Sequence, residues 1–404
     1  MAAPQSPPFH RGLTSRKLKT GVFALETLNA LGTTYFFYDI YYYTQAQFHF
    51  GALRNLWLAA ALGTVYAFAA FFGGKFAQKF GYLTAVKCGA GLMASVFLIG
   101  SQIHGLAGTL AVIFIGNIGM CLTWPALEAL MSEGEPPARL QSLVGIYNFV
   151  WAGAGAFAYF VGGALLEKWG AQSIFYVPAI ILLAEMGLAF WLEREAGREP
   201  ALELDPPLLR PAPEGSTSPI SPAVFLKMAW LANPLAYLSI NTVISTLPTL
   251  AKRFQLSLME AGFVCSIWLF ARTMAFVFLR LWPKWHYRFR FLIGSYIAMI
   301  FSFGAILLSP DLWVFIVAQI IFGLAIGLIY YSSLFYSMDV GDTKGEHGGI
   351  HEAAIGAGNA GGPALAATAL TLFPGTTGSA AGAVCGLLVV GLAALYRMRY
   401  RRAA

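Results

Sequence analysis

Twelve stretches of this chain run for about twenty residues each with almost no charge, and that spacing limits the fold more than any other feature. They cover 21–43, 55–74, 83–103, 106–131, 141–165, 172–192, 223–248, 258–281, 290–309, 311–337, 349–373 and 378–396. A hydrocarbon layer about 30 Å thick needs about 20 helical residues to cross it. The composition agrees: 58% of the 404 residues are hydrophobic, 11% are charged, and the mean hydropathy is +0.65. A soluble domain carries about 25% charged residues. A membrane barrel would show short segments of alternating polarity, whereas these runs are long and continuous. The expected fold is an all-α polytopic membrane protein.

The formal net charge of +7 could suggest a nucleic-acid partner, but its distribution argues for a membrane. With the N-terminus placed inside, twenty Lys and Arg collect on one side, from Arg11 to Arg402. Only Arg54, Lys168, Lys252 and Arg253 fall on the other. This positive-inside bias predicts cytoplasmic N- and C-termini, an even number of spans and contact with anionic lipid, with no nucleic acid. The four cysteines, Cys88, Cys121, Cys265 and Cys385, lie in or beside apolar runs without metal spacing and read as small core residues. The first run contains Glu26 and Asn29 and has no small-residue cleavage site, so it reads as a retained helix.

Residues 194–222 hold seven prolines and charges of both signs, the composition of an extended linker. The expected organisation is a tail (1–20), a six-helix bundle (21–193), a cytoplasmic linker (194–222), a second six-helix bundle (223–396) and a basic tail (397–404). The halves echo each other at an offset near 204 residues: LNALG at 28–32 meets ANPLA at 232–236, and GIYN at 145–148 meets GIHE at 349–352. KFGY at 79–82 meets KWHY at 284–287. A duplicated unit starting twice from one side is related by an axis along the membrane normal.

With these features the chain resembles the major facilitator superfamily over essentially its whole length. The loop after the second span, GKFAQKFGY, is similar to the family pattern G-x-x-x-D-[RK]-x-G-[RK] at Gly74, Lys79 and Gly81. Gln78 stands where the family has Asp, Tyr82 where it has a basic residue, and Ile115 where the fourth helix usually carries arginine. The resemblance implies two pseudo-symmetric bundles of six helices around a central cavity lined by the first, fourth, seventh and tenth helices. The departures withhold the proton-antiport mechanism associated with those residues.

The stretch GEHGGIHEAAIGAGNAGGPALAA, residues 345–367, offers two other readings. Its GxGxxG lies inside an apolar helix, whereas a dinucleotide fingerprint follows a strand. His347 and His351 are four apart, but His351-Glu352 does not continue as HExxH, and glycines interrupt the pair. Gly358, Gly362 and Pro363 resemble the family's GxxxGP packing motif, which that family places in its fifth helix. The stretch reads as a tightly packed, bendable helix at the seam between the halves. No metal and no cofactor are expected.

A charge in mid-bilayer costs at least about 2.5 kcal/mol, so ionisable residues inside spans are candidates for function. Glu26, Glu128, Arg272 and Glu352 are the coupling or gating candidates; Asp39 and Glu185 lie nearer helix ends and read as interfacial. Arg272 is expected to pair with an acid, Glu352 first, when the cytoplasmic side is closed. Helical spacing puts Glu26, Asn29, Thr33, Phe37 and Tyr41 on one face of the first span. Asn117, Cys121, Trp124 and Glu128 share a face of the fourth. Asn233, Tyr237, Asn241 and Ser245 do so in the seventh, and Gln319, Gly323, Ile326 and Tyr330 in the tenth. The fifth adds Asn148 and Trp151, and Tyr331 joins Tyr330 as a deep aromatic. Such stripes line either a cavity or a hydrogen-bonded helix seam.

The expected function is secondary active transport of a small organic solute (sugar-like, drug-like or metabolite) by alternating access, with protons as the coupling ion. The expected form is a monomer in a bacterial inner membrane. A transport-inactive sensor or scaffold is one alternative. A membrane-embedded enzyme is another, but no nucleophile–base pair faces one cavity.

Overall fold

The computed structural model describes residues 15–132, 137–198, 220–340, 344–374 and 377–400. Among these residues the chain forms twelve long helices and no strand. The first six are α1 (Arg16–Phe48), α2 (Ala52–Phe80), α3 (Tyr82–Gly100), α4 (Leu106–Ser132), α5 (Pro137–Trp169) and α6 (Ser173–Ala196). The second six are α7 (Pro222–Arg253), α8 (Leu258–Leu281, interrupted at Ser266), α9 (Phe289–Leu308), α10 (Leu312–Val340), α11 (Lys344–Leu372) and α12 (Thr377–Tyr400). Each expected span lies within or largely overlaps one helix, and most helices run past the apolar run at one or both ends. The linker's residues 199–219 lie outside the described residues.

Local chemistry sets the ends. Ser15 accepts a hydrogen bond from the Leu18 N–H and caps α1. Ser257 and Glu260 form a reciprocal capping box on α8. Between α2 and α3 the chain reverses at Gly81 with φ of 97°, a conformation closed to most side chains.

Ten of the twelve helices are long and apolar enough to cross a membrane. Only 33–56% of the residues in their most apolar windows are buried. Large side chains such as Phe68, Ile99, Phe157, Met274 and Phe301 point outward. An apolar belt of this size belongs in lipid, and the chain is an integral multi-pass membrane protein. The other two, α1 and α11, are 33 and 29 residues long but more polar. They contact other helices on several sides, so an apolar outer face is not required of them.

Helix pairing repeats six helices on. In the first lobe α1 packs on α5 and α6, α2 on α4, and α3 on α4 and α6. In the second α7 packs on α11 and α12, α8 on α10, and α9 on α10 and α12. The lobes meet along two long seams, α2 against α11 and α5 against α8, which exchange under the same shift. This is the arrangement of a duplicated bundle.

Small residues let the seams close. A Cβ on Gly63 of α2 would strike the backbone of Asn359 and Ala360, and one on Gly356 of α11 would strike Ala67. Gly358 and Gly362 act elsewhere. They press α11 onto the Pro234 and Leu238 carbonyls of α7, within the second lobe. The stretch thus packs both ways: Gly358 and Gly362 within the second lobe, and Gly356, with Gly63 of α2, across the seam. Gly74 and Gly81 sit at the end of α2, where neighbouring Gly73 brings that helix against the Cys121 carbonyl of α4.

Candidate functional site

A cavity of about 140 Å³ lies between the lobes at mid-helix depth. Eight helices contribute to its wall. Thr33, Thr34, Phe37, Tyr38 and Tyr41 come from α1, and Gly63 and Tyr66 from α2. Asn117 and Trp124 of α4, Trp151 of α5 and Tyr237 and Asn241 of α7 follow. Arg272 of α8, Tyr330 of α10, and Glu352 and Asn359 of α11 complete it. A space rich in rings with a few polar groups placed among them has the lining of a small-molecule site.

Trp151 is the centre of an aromatic cluster. Its ring centroid lies 6.1 Å from Trp124, 5.3 Å from Tyr330 and 5.8 Å from Phe276. Its indole N–H donates to Asn148 Oδ1 at 3.1 Å, which fixes the ring plane. The Arg272 Cζ lies over Trp151 at 4.6 Å and over Trp268 at 5.1 Å from the ring centroids. Trp268 in turn stacks on Tyr38. Two indole faces thus compensate a buried guanidinium.

Amides and one acid form the polar part. Asn241 donates to Asn359 Oδ1, tying α7 to α11, and Asn117 donates to the Leu62 carbonyl at 2.8 Å, tying α4 to α2. Tyr66 donates to Glu352 Oε2 at 2.5 Å across the α2–α11 seam. Glu26 and Glu128 lie within Coulombic reach of Glu352 and of each other. Both Glu26 carboxyl oxygens, and Glu128 Oε2, have no hydrogen-bond partner among the described residues. Three acids from two lobes are therefore buried close together, Glu352 on the cavity wall and Glu26 and Glu128 behind it.

The sequence stripes divide on inspection. Thr33, Asn117, Trp124, Trp151, Tyr237, Asn241 and Tyr330 line the cavity, as do Arg272 and Glu352. Asn29, Asn148, Asn233, Glu26 and Glu128 are buried among helices and do not line it. Gln319 turns away and donates to the Val264 carbonyl of α8 at 3.1 Å, so it serves the α8–α10 seam. Tyr331 packs on Trp285 and Phe276, off the cavity. Asp39 and Glu185 are not interfacial, being 1% and 0% exposed. The Asp39 carboxylate fills the space where a Cβ on Gly162 would sit.

The expected Arg272–Glu352 pair is not made. No carboxylate among the described residues lies within ion-pair distance of Arg272, and Glu352 is held by Tyr66 instead. The side chain of His347 lies outside the described residues; His351 is buried with its ring 5.8 Å from Tyr330. Sequence reasoning missed the α2 wall and Tyr66, Tyr38 and Asn359. Ala59, Leu62, Gly63 and Tyr66 do follow helical spacing, but such a stripe also describes ordinary packing.

Residues 22–363 match the sequence model of the Major Facilitator Superfamily. The tetracenomycin C resistance and export protein of Streptomyces glaucescens is 24% identical over 162 residues. That match covers 39% of this chain and spans 29% of the relative's own length. The nucleoside transporter NupG superposes with a TM-score of 0.67 at 14% identity, covering 95% of this chain and 100% of that one. The human organic anion transporter MFSD10 (TETRAN) gives a TM-score of 0.67 at 15% identity, over 94% and 99% of the two chains. A bacterial homolog of the human lysosomal transporter Spinster, inward-facing and unoccupied, gives 0.63 at 15% over 95% of each. At these identities the structural likeness is one of fold.

Proposed function

Because this chain belongs to the Major Facilitator Superfamily, we propose that it is a secondary transporter of small solutes, that its central cavity holds the solute and that Glu352 couples transport to protons. One observation carries the reading. Glu352 is the only carboxyl among the described residues that lines the cavity, and it sits on the seam between the lobes, bonded to Tyr66 of the other lobe. Its protonation state therefore bears both on the solute's surroundings and on a contact that must change if the lobes rock. Glu26 and Glu128 extend the acidic region into the first lobe. Carboxyls buried this close together cannot be indifferent to proton occupancy, because each added negative charge in a low-dielectric region costs more than the last.

The lobes rock as units about the cavity, giving alternating access, since the two seams are the only long contacts between them among the described residues. The face bearing Arg16 and Tyr400 is cytoplasmic, on the strength of the twenty-to-four distribution of basic residues. Lys17 pairs with Glu195 at 2.7 Å on that face, where α1 begins and α6 ends.

The test is uptake into proteoliposomes with and without an imposed pH gradient, screened over sugars, amino acids and aromatic metabolites. The expected result is accumulation that follows the gradient in the wild type. Glu352→Gln should lose gradient-driven accumulation while keeping solute exchange between equal compartments, and that exchange should no longer vary between pH 5 and pH 8. Gradient-driven accumulation by Glu352→Gln at the wild-type level would contradict coupling at this residue.

A further inference from the structure

We propose that the cavity takes a planar aromatic solute carrying one negative charge, and that Arg272 is the group that holds the charge. The inference rests on the reading that the central cavity is the solute site; it does not depend on proton coupling.

Arg272 is the starting point. It is 3% exposed, it lines the cavity, and no carboxylate among the described residues pairs with it. Its Nε has no hydrogen-bond partner among the described residues. A buried guanidinium left this way is costly, and proteins pair such groups or give them a ligand. Trp151 and Trp268 offset part of that cost through their ring faces. A cation–π contact does not use the N–H fork. Tyr38, a polar neighbour of the guanidinium, offers it a single oxygen, with Tyr237 and Tyr330 also within electrostatic reach. Five N–H donors in one plane match a carboxylate or similar oxyanion.

The charge count sets the class further. Among the described residues one cation lines the cavity, and one carboxyl, Glu352, faces it with Glu26 and Glu128 behind. A monoanion balances Arg272; a dianion would leave surplus negative charge facing these acids. A cationic solute would have to sit beside a guanidinium that no carboxylate among the described residues pairs. The walls set the rest. Tyr38, Tyr41, Trp124, Trp151, Tyr237 and Tyr330 surround the space with rings, and Trp151, fixed by Asn148, bridges the aromatic wall and the guanidinium. Flat rings gain most from these surfaces, through stacked and edge contacts.

The experiment is isothermal titration of the purified full-length protein in detergent at one fixed pH, without membrane or gradient. The probes are benzoate, naphthoate and indoleacetate, each beside its uncharged amide. Cyclohexanecarboxylate serves as a non-aromatic anion, terephthalate as a dianion and tyramine as a cation. At least one aromatic carboxylate should bind about ten-fold or more tightly than its amide, as a charged hydrogen-bond pair requires. It should also outbind cyclohexanecarboxylate, terephthalate and tyramine. In Arg272→Gln the carboxylate-to-amide ratio should fall to about one, while Arg272→Lys, which keeps the charge but not the fork, should retain part of it. The proposal is overturned if no carboxylate outbinds its amide, if the ratio survives Arg272→Gln, or if a comparison anion or the cation binds as well. Should Arg272→Gln fail to fold, the wild-type ratios and Arg272→Lys decide. Because the titration uses no gradient, loss of coupling in Glu352→Gln and loss of anion selectivity in Arg272→Gln are read in separate experiments.

Discussion

The two ends of the α5–α8 seam close by different means. At the end distant from the chain termini, backbone meets backbone. Gly163 lies against the Leu258 carbonyl and the Gly262 nitrogen, and Gly262 lies against the Phe160 and Tyr159 carbonyls. There the Met259 N–H, in the first turn of α8, donates to the Glu167 carboxylate at 2.9 Å. At the other end, side chains make the closure. The stem of Arg280 fills the space beside Gly145, and its guanidinium donates to Ser142 Oγ at 3.3 Å in an exposed position. A glycine crossing holds one close geometry and has no rotamer to relax. An arginine stem can swing aside at the cost of a weak, solvated hydrogen bond. The distal end is therefore built for a definite closed state, and the terminal end for easier opening.

The sharpest way to break this contrast is to add a side chain at the glycine crossing. Gly163→Leu should abolish solute flux and weaken the distal closure by about 1–3 kcal/mol, the usual cost of overpacking. Distances between spin labels on the distal ends of α5 and α8 should lengthen, and an unchanged distance would count against backbone closure. Glu167→Gln tests the cap at the same end. Losing a carboxylate from a helix N-terminus should cost about 0.5–1 kcal/mol, seen as faster distal opening with flux reduced but present. Arg280→Ala tests the other end and should have the smallest effect. Thermal stability should stay within error of the wild type and flux within about two-fold, because exposed polar contacts contribute little. A larger loss from Arg280→Ala than from Glu167→Gln would reverse the comparison.

The sequence carried the membrane layout and half of the site. Long apolar runs locate helices because lipid leaves little choice, and the duplicated pairing of α1–α6 and α7–α12 agrees with the offset matches. Thr33, Trp124, Tyr237 and Tyr330 were legible as cavity residues since each stands on a polar or aromatic stripe. Gln319 sat on such a stripe too, yet its partner is the Val264 carbonyl. Periodicity identifies a face but not what the face meets. The α2 wall was hidden for the opposite reason: Gly63 belongs to a small-residue stripe, and only the position of Asn359 on α11 shows that it admits close approach. Arg272 was recognised as buried, but the expectation of an acid partner overlooked Trp151 and Trp268, since ring faces leave no charge signature in a sequence.

The central claim is that water and solute reach a cavity walled by both lobes. With the four native cysteines replaced, Thr33→Cys in the first lobe and Asn241→Cys in the second can be tested with a small charged methanethiosulfonate reagent in membrane vesicles. Both should react, and both should be protected by a transported solute, while Tyr331→Cys, packed on Trp285, should stay unmodified. Silence at Thr33→Cys and Asn241→Cys under conditions of active transport would contradict the account.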